Sequence, residues 1–175
     1  MREIVYGCGV SMDGYIARPD GGLDWLVHEP SHDMGAFFKT IDAGIMGRKT
    51  YEAGVKAGGE AQFKSGGIQY FVFSRTELPG KRRFVEWVNE APRTFVDALR
   101  AKPGKNIWLA GGGELARTFL EEDLIDRVEI GIVPVLLGAG IPMFPAGFPE
   151  RKFELIECRA YPKGLVTASY RRSSY

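Results

Sequence analysis

Asn106-Ile107-Trp108-Leu109-Ala110-Gly111-Gly112-Gly113-Glu114-Leu115-Ala116 is the stretch whose reading decides the fold. Ile107 to Ala110 is an apolar run that reads as a buried strand, and Glu114 to Leu120 follows a helical period. The turn between them is bare glycine. Glycine lets the backbone take left-handed angles and lets a ligand approach without meeting a Cβ. A helix starting there aims unpaired N–H groups and the positive end of its dipole into the turn, which suits a phosphate. A tight turn that only needs glycine is the plainer alternative, and the neighbouring sequence has to separate the two.

Composition narrows the field. The 175 residues are 45% hydrophobic and 26% charged, ordinary values for one globular domain spanning residues 1–175. Lys and Arg total 23 against 22 Asp and Glu, so no basic footprint for nucleic acid or an anionic membrane exists. Cys8 and Cys158 fall in strand-like patterns and read as buried free thiols in a reducing compartment. Met1-Arg2-Glu3-Ile4 does not read as a secretory leader, and no apolar run approaches membrane-spanning length. A cytoplasmic protein is the expectation.

Upstream, Ile4 to Val10 reads as a first strand, with Gly7 and Gly9 where a ligand or another backbone could come close. It opens through Ser11-Met12-Asp13-Gly14-Tyr15-Ile16-Ala17 into a long loop that holds Asp13, Asp24 and Trp25. A helix is predicted from Ser31, with Met34, Phe37, Phe38 and Ile41 at helical spacing and Asp33 in its first turn. Ala43 to Met46 is a second strand. It ends at Gly47-Arg48-Lys49-Thr50, where glycine, two cations and a hydroxyl open a helix that could hold a phosphate. Residues 54–67 read as loop. Ile68 to Phe73 is a strand ending at Ser74-Arg75, Phe84 to Val88 a further strand, and Pro92 to Lys102 a helix.

Beyond the glycine turn, Asp126 to Val133 alternates as a strand. Two last strands, near 153–160 and 166–171, meet as a hairpin at Pro162-Lys163-Gly164. Strand–helix alternation followed by an antiparallel tail implies an α/β fold, a mostly parallel sheet between helical layers with an antiparallel C-terminal edge hairpin. Ligands of such sheets lie outside the carboxyl ends of the strands. Three of those ends carry anion-binding groups here, which points to an extended, multiply charged ligand.

Two motifs compete. His28-Glu29-Pro30-Ser31-His32 is a literal H-E-x-x-H, the pattern of zinc hydrolases. Its chemistry needs both imidazoles on one helical face, and Pro30 breaks that helix. No third histidine exists to complete the ligands, so no metal is expected. Gly111-x-Gly113-x-x-Ala116 meets the loose Rossmann fingerprint, but no second mononucleotide half follows.

The ordered set Ser11 to Ala17, Met46 to Glu52, Val72 to Arg75, Gly111 to Gly113 and Pro134-Val135-Leu136-Leu137-Gly138-x-Gly140-x-Pro142-x-Phe144 resembles the dihydrofolate reductase superfamily. Within it the chain is most similar to the branch of the riboflavin-biosynthesis reductase, the RibD C-terminal domain, as a stand-alone member. The zinc deaminase domain of the bifunctional enzyme has no counterpart in the sequence.

The resemblance implies a dihydrofolate reductase-like three-layer sandwich with an eight-stranded sheet, and an NADPH-dependent reductase. Gly47, Arg48, Lys49 and Thr50 would receive the 2′-phosphate and part of the pyrophosphate. Ser74 and Arg75 would flank the adenosine. Gly111, Gly112, Gly113, Glu114 and Leu115 would wrap the pyrophosphate, with a cis peptide between the first two glycines. Ile16 would lie near the nicotinamide. Asp33, four residues before Phe37, would support protonation of the substrate, with Asp13 the other catalytic candidate; Ser11, Asp13, Trp25 and Phe37 would contact the substrate. That substrate would be a small heterocycle or a ribosyl pyrimidine, as in the 5-amino-6-(5-phosphoribosylamino)uracil reductases, although Tyr15 replaces a basic residue usual in that branch. Dihydrofolate reductase activity and an NADP-binding module without catalysis are alternatives. The resemblance also implies a homodimer.

Overall fold

Apolar runs with side chains alternating to two faces form the sheet. In the computed structural model, which describes residues 1–64, 66–76 and 83–173, the parallel strands are β1 (Ile4–Ser11), β3 (Ile41–Gly47), β4 (Gln69–Phe73), β5 (Val85–Val88), β6 (Asn106–Gly111) and β7 (Arg127–Val133). β2 (Tyr15–Ala17) and β8 (Ile141–Pro142) make a separate two-stranded ribbon, and β9 (Phe153–Ala160) and β10 (Val166–Arg172) form the terminal hairpin. The main sheet has eight strands in the order β5-β4-β3-β6-β1-β7-β10-β9. All neighbours up to β7 are parallel, and β10 is antiparallel to both β7 and β9. The fold is therefore the mostly parallel α/β sheet with an antiparallel edge that the sequence implies.

The alternation fills two helical layers. Ile4 and Tyr6 of β1, Ile45 of β3 and Ile107 and Leu109 of β6 pack with Val96 and Leu99 of α3 (Pro92–Arg100) and Phe119 of α4 (Gly113–Glu121). The other face packs Met46, Tyr70 and Val72 against Tyr51 of α2 (Arg48–Gly58) and against Phe63. α1 (Met34–Lys39) lies on this second face, its Phe37 and Phe38 against Trp108. Each such buried side chain contributes about 1.5–3 kcal/mol of transfer free energy, which holds the layers together.

Several local expectations change. The first helix starts at Met34 rather than Ser31 and buries none of its residues; Ile41 belongs to β3. The 54–67 stretch is not simply loop, since α2 runs to Gly58 and a 3-10 turn spans Glu60–Phe63. Its glycines hide the helix because they serve packing: a Cβ on Gly54 would lie 3.0 Å from Phe63 Cζ. Ser65, within that stretch, lies outside the described residues. The loop expected after β1 contains β2, paired with β8. Cys8 packs against the core, where burial pushes its thiol up to about 12, but Cys158 is exposed on edge strand β9. No helix among the described residues is long and apolar enough to cross a membrane.

Candidate functional site

The carboxyl ends of β4, β3, β6 and β1 lie side by side along one rim. β3 ends at Gly47 and β6 at Gly111, and α2 and α4 begin directly after them. Both helices have a glycine at the N-cap, Gly47 and Gly112, with no side-chain cap. Their first N–H groups therefore lack the side-chain acceptor that Ser, Asp or Asn supplies, and two positive dipole ends converge. A Cβ on Gly47 would lie 3.9 Å from both Gly112 N and Leu115 Cβ, and one on Gly112 only 3.2 Å from Thr50 Oγ1. The glycines thus let the two turns touch.

The three consecutive glycines do different work. Gly111 has φ +102°, a left-handed backbone, and its peptide to Gly112 is cis. Gly113 is buried at the start of α4, where a Cβ would lie 2.6 Å from Pro142 O. Glu114 is exposed and pairs with Arg117 at 3.1 Å, and Leu115 is half-buried against the core.

Arg48 joins the next strand end to this pair. It is exposed, its Nη1 donates to Thr76 Oγ1 at 3.1 Å, and its Nε lies 3.2 Å from Glu52. Ser74, just past β4, donates from Oγ to Thr76 O at 2.6 Å. Lys49 and Arg75 are exposed nearby in sequence, and Thr50 is half-buried. The structure therefore brings Gly47 to Thr50, Ser74 to Thr76 and the glycine turn onto three adjacent strand ends. The group is cationic and rich in N–H donors, which is what a phosphate needs.

On the far side of β6, β1 ends at buried Ser11, whose Oγ donates to Asp13 Oδ1 at 2.6 Å. Asp13 also accepts from Gly138 N at 2.7 Å and Leu137 N at 3.0 Å. The Ser11 hydroxyl, followed by these amides, holds its carboxyl below the usual carboxylate range. The turn is thereby tied to the 134–144 segment, which returns along β8 to β2. Ile16 in β2 is half-buried against the core.

Asp33 is exposed and caps α1 by accepting from Ala36 N at 3.2 Å. Phe37 is half-buried and stands edge-on to Trp108 with ring centroids 5.9 Å apart. Trp108 donates from Nε1 to Gly7 O at 2.9 Å. Trp25 is buried in a satellite cluster with Val133 and Leu165. Sequence reasoning missed Trp108 as the neighbour of Phe37. Gly7 was the available signal, because without a side chain it lets Phe37 and Trp108 come close to the strand.

The His28 to His32 motif is not helical. Buried Glu29 accepts from Ser31 Oγ at 2.6 Å and from Lys163 N at 3.0 Å, and these donors, the Ser31 hydroxyl foremost, hold its carboxyl below the usual range. His32 Nδ1 lies 3.2 Å from Tyr161 OH. The motif braces the loop against the terminal hairpin. Among the described residues no group of three or more His, Cys, Asp or Glu could hold a metal ion.

Comparison with known proteins matches the family and the fold. The family model of the RibD C-terminal domain matches residues 2–167. The uncharacterized protein YwjB of Bacillus subtilis is 38% identical over 157 residues, covering 88% of this chain and 89% of YwjB. A crystal structure from Shewanella sp. PV-4, provisionally named a riboflavin biosynthesis protein, superposes with a TM-score of 0.86 at 28% identity, covering 99% of this chain and 100% of that one. Dihydrofolate reductase from Enterococcus faecalis, solved with NADP(H), shares the fold with a TM-score of 0.68 at 16% identity, covering 98% of this chain and 97% of that one.

Proposed function

The chain belongs to the RibD C-terminal domain family, and we propose that it is an NADPH-dependent reductase of a small heterocyclic substrate, working as one reductase domain in the cytoplasm. One observation carries the reading. Two helix N-termini without side-chain caps meet where β3 and β6 end, and Arg48 spans from there to the end of β4. An adenine dinucleotide with a pyrophosphate and a 2′-phosphate fits that rim, since the glycine cradle would be filled by any Cβ at Gly112 and exposed cations stand beside it.

In this reading the amides of Gly112, Gly113, Glu114 and Leu115, with Gly111 bending the chain, hold the pyrophosphate, and Gly47 and Thr50 close its other side. Arg48, Lys49, Ser74 and Arg75 select the 2′-phosphate. Ile16, on the ribbon, borders the nicotinamide. When bound, the cofactor supplies a hydride to an electrophilic carbon of the substrate, and a proton must reach the adjoining nitrogen. Asp33 stands at the head of α1, four residues before Phe37, and would hold or relay that proton. Ser11 and Trp25 shape the substrate side from the loop end. Asp13 already accepts from three donors, so it acts by fixing the loop between the substrate and the 134–144 segment.

NADPH oxidation across a panel of pteridines and ribosylaminopyrimidines tests the reading. Turnover of dihydrofolate would identify the folate alternative, and cofactor binding without turnover of any acceptor would identify a binding module. We extend the proposal to a homodimer, because Leu136, Leu155 and Ile156 leave large apolar side chains exposed. Sedimentation equilibrium decides that point.

A further inference from the structure

A concavity of about 240 Å³, open to solvent on one side, lies on the α3–α4 face of the sheet. Val128 and Ile130 of β7, Tyr170 of β10, Leu120 of α4, Phe148 and Phe153 line it. Val128 and Ile130 fall in the amino-terminal half of β7, whereas the rim is built on carboxyl ends. Leu120 stands two turns along α4 from Gly113, about 10 Å from the glycine turn. Phe37 and Trp108 belong to the opposite face. The concavity is therefore separate from the cofactor rim and from the α1 side.

Its lining decides what it can hold. The side chains present almost nothing but carbon to the space. Arg151, at its border, is paired: Nε lies 3.1 Å from Asp123 Oδ1, and Nη1 donates to Glu150 O at 3.0 Å. Asp123 also lies 2.8 Å from Arg172 Nη1, and Arg172 Nη2 lies 3.4 Å from Asp126. These charges compensate one another, so an anion entering the hollow would lose its hydration without gaining a partner.

Size and ring content narrow the choice further. Phe144, also in the lining, is 37% exposed and stands edge-on to Phe148 with ring centroids 6.3 Å apart. Aromatic walls favour a ring in edge-on or offset contact, with centroids about 4.5–7 Å apart. An apolar cavity of about 150 Å³ takes one benzene. A hollow of about 240 Å³ has room for two fused rings and none for a dinucleotide. Close packing leaves few voids larger than a water molecule, and carbon walls offer water no partners.

We propose that this concavity is a second ligand site, and that it takes one uncharged bicyclic aromatic molecule of the indole or naphthalene class. The proposal stands on the cavity alone and does not need the reductase reading.

Methyl NMR of the full chain tests it, with indole and 2-naphthoate as probes. Indole should shift the methyl signals of Leu120, Val128 and Ile130 saturably, while Val72 on the opposite face stays in place. The charged 2-naphthoate should bind about tenfold or more weakly. Phe148→Asp should weaken indole by about tenfold or more, and Phe148→Leu should keep its affinity within about threefold. Should Phe148→Asp fail to fold, the wild-type titrations still decide. No saturable shift at the three lining residues, shifts on the Val72 face instead, equal affinity for 2-naphthoate, or unchanged affinity in folded Phe148→Asp would each overturn the proposal. Shifts of the same methyls on raising protein concentration without indole would assign the concavity to a second copy of the chain and overturn it as well.

Discussion

A Cβ added to Gly113 would lie 2.6 Å from the carbonyl oxygen of Pro142, so the last glycine of the turn is required by a neighbour and not by its own backbone angles. The 140–145 segment leans on the first residue of α4. Whatever holds that segment also holds the rim.

Gly113→Ala therefore forces the chain apart at the rim. Overpacking of this kind destabilises by about 1–3 kcal/mol. Urea unfolding should show that loss, and NADPH affinity should fall with it. Gly112→Ala meets only Thr50 Oγ1 at 3.2 Å and should unfold closer to the wild type.

Asp13 supplies a pH-dependent tie. Its carboxyl sits below the usual range because the Ser11 hydroxyl and then the Gly138 and Leu137 amides donate to the charged form. A depressed folded pKa gives stability that is present above the unfolded value, about 3.9, and is lost as pH falls through the folded value. Asp13→Asn should melt below the wild type at pH 7, and the gap between their Tm values should shrink on acidification below about pH 4. A gap constant from pH 7 to pH 3 would rule the tie out.

Arg48 should set cofactor choice. Hydrogen bonds to charged groups are worth about 1.5–3 kcal/mol. Arg48→Ala should weaken NADPH by about tenfold or more while changing NADH little. Its present partners, Thr76 and Glu52, are exposed, so the fold should tolerate the change. Equal losses for both nucleotides would remove Arg48 from the 2′-phosphate.

Glu29 should behave as a brace. Glu29→Gln should lower Tm, because the buried acceptor of Ser31 and Lys163 becomes a weaker one. Added zinc should leave the Tm of the wild type unchanged, and chelators should leave its activity unchanged. A zinc-dependent rise in Tm that vanishes in His28→Ala would restore the metal reading.

Long apolar runs were legible: β1, β3, β4 and β6 fall where Ile4 to Val10, Ala43 to Met46, Ile68 to Phe73 and Ile107 to Ala110 place them. So were the three strand ends at Gly47 to Thr50, Ser74-Arg75 and Gly111 to Gly113 as local motifs, and the sheet order sets them side by side. The C-terminal half of α2 was hidden, since Gly54 and Gly58 read as loop while serving contacts with Phe63 and Gln62. The β2–β8 ribbon could not be seen because strands of three and two residues carry no period, and their pairing is fixed by distant contacts such as the 2.3 Å approach that a Gly140 Cβ would make to Ala17 O. The seat of Leu26 on Gly9 was beyond reach for the same reason. Only the folded loop puts one over the other.

The most direct test is isothermal titration of the purified protein with NADP+, NADPH and NADH at fixed ionic strength. One site per chain is expected, with the 2′-phosphorylated cofactors binding about tenfold or more tightly than NADH. No heat from either 2′-phosphorylated form, or equal affinity for NADPH and NADH, would contradict it.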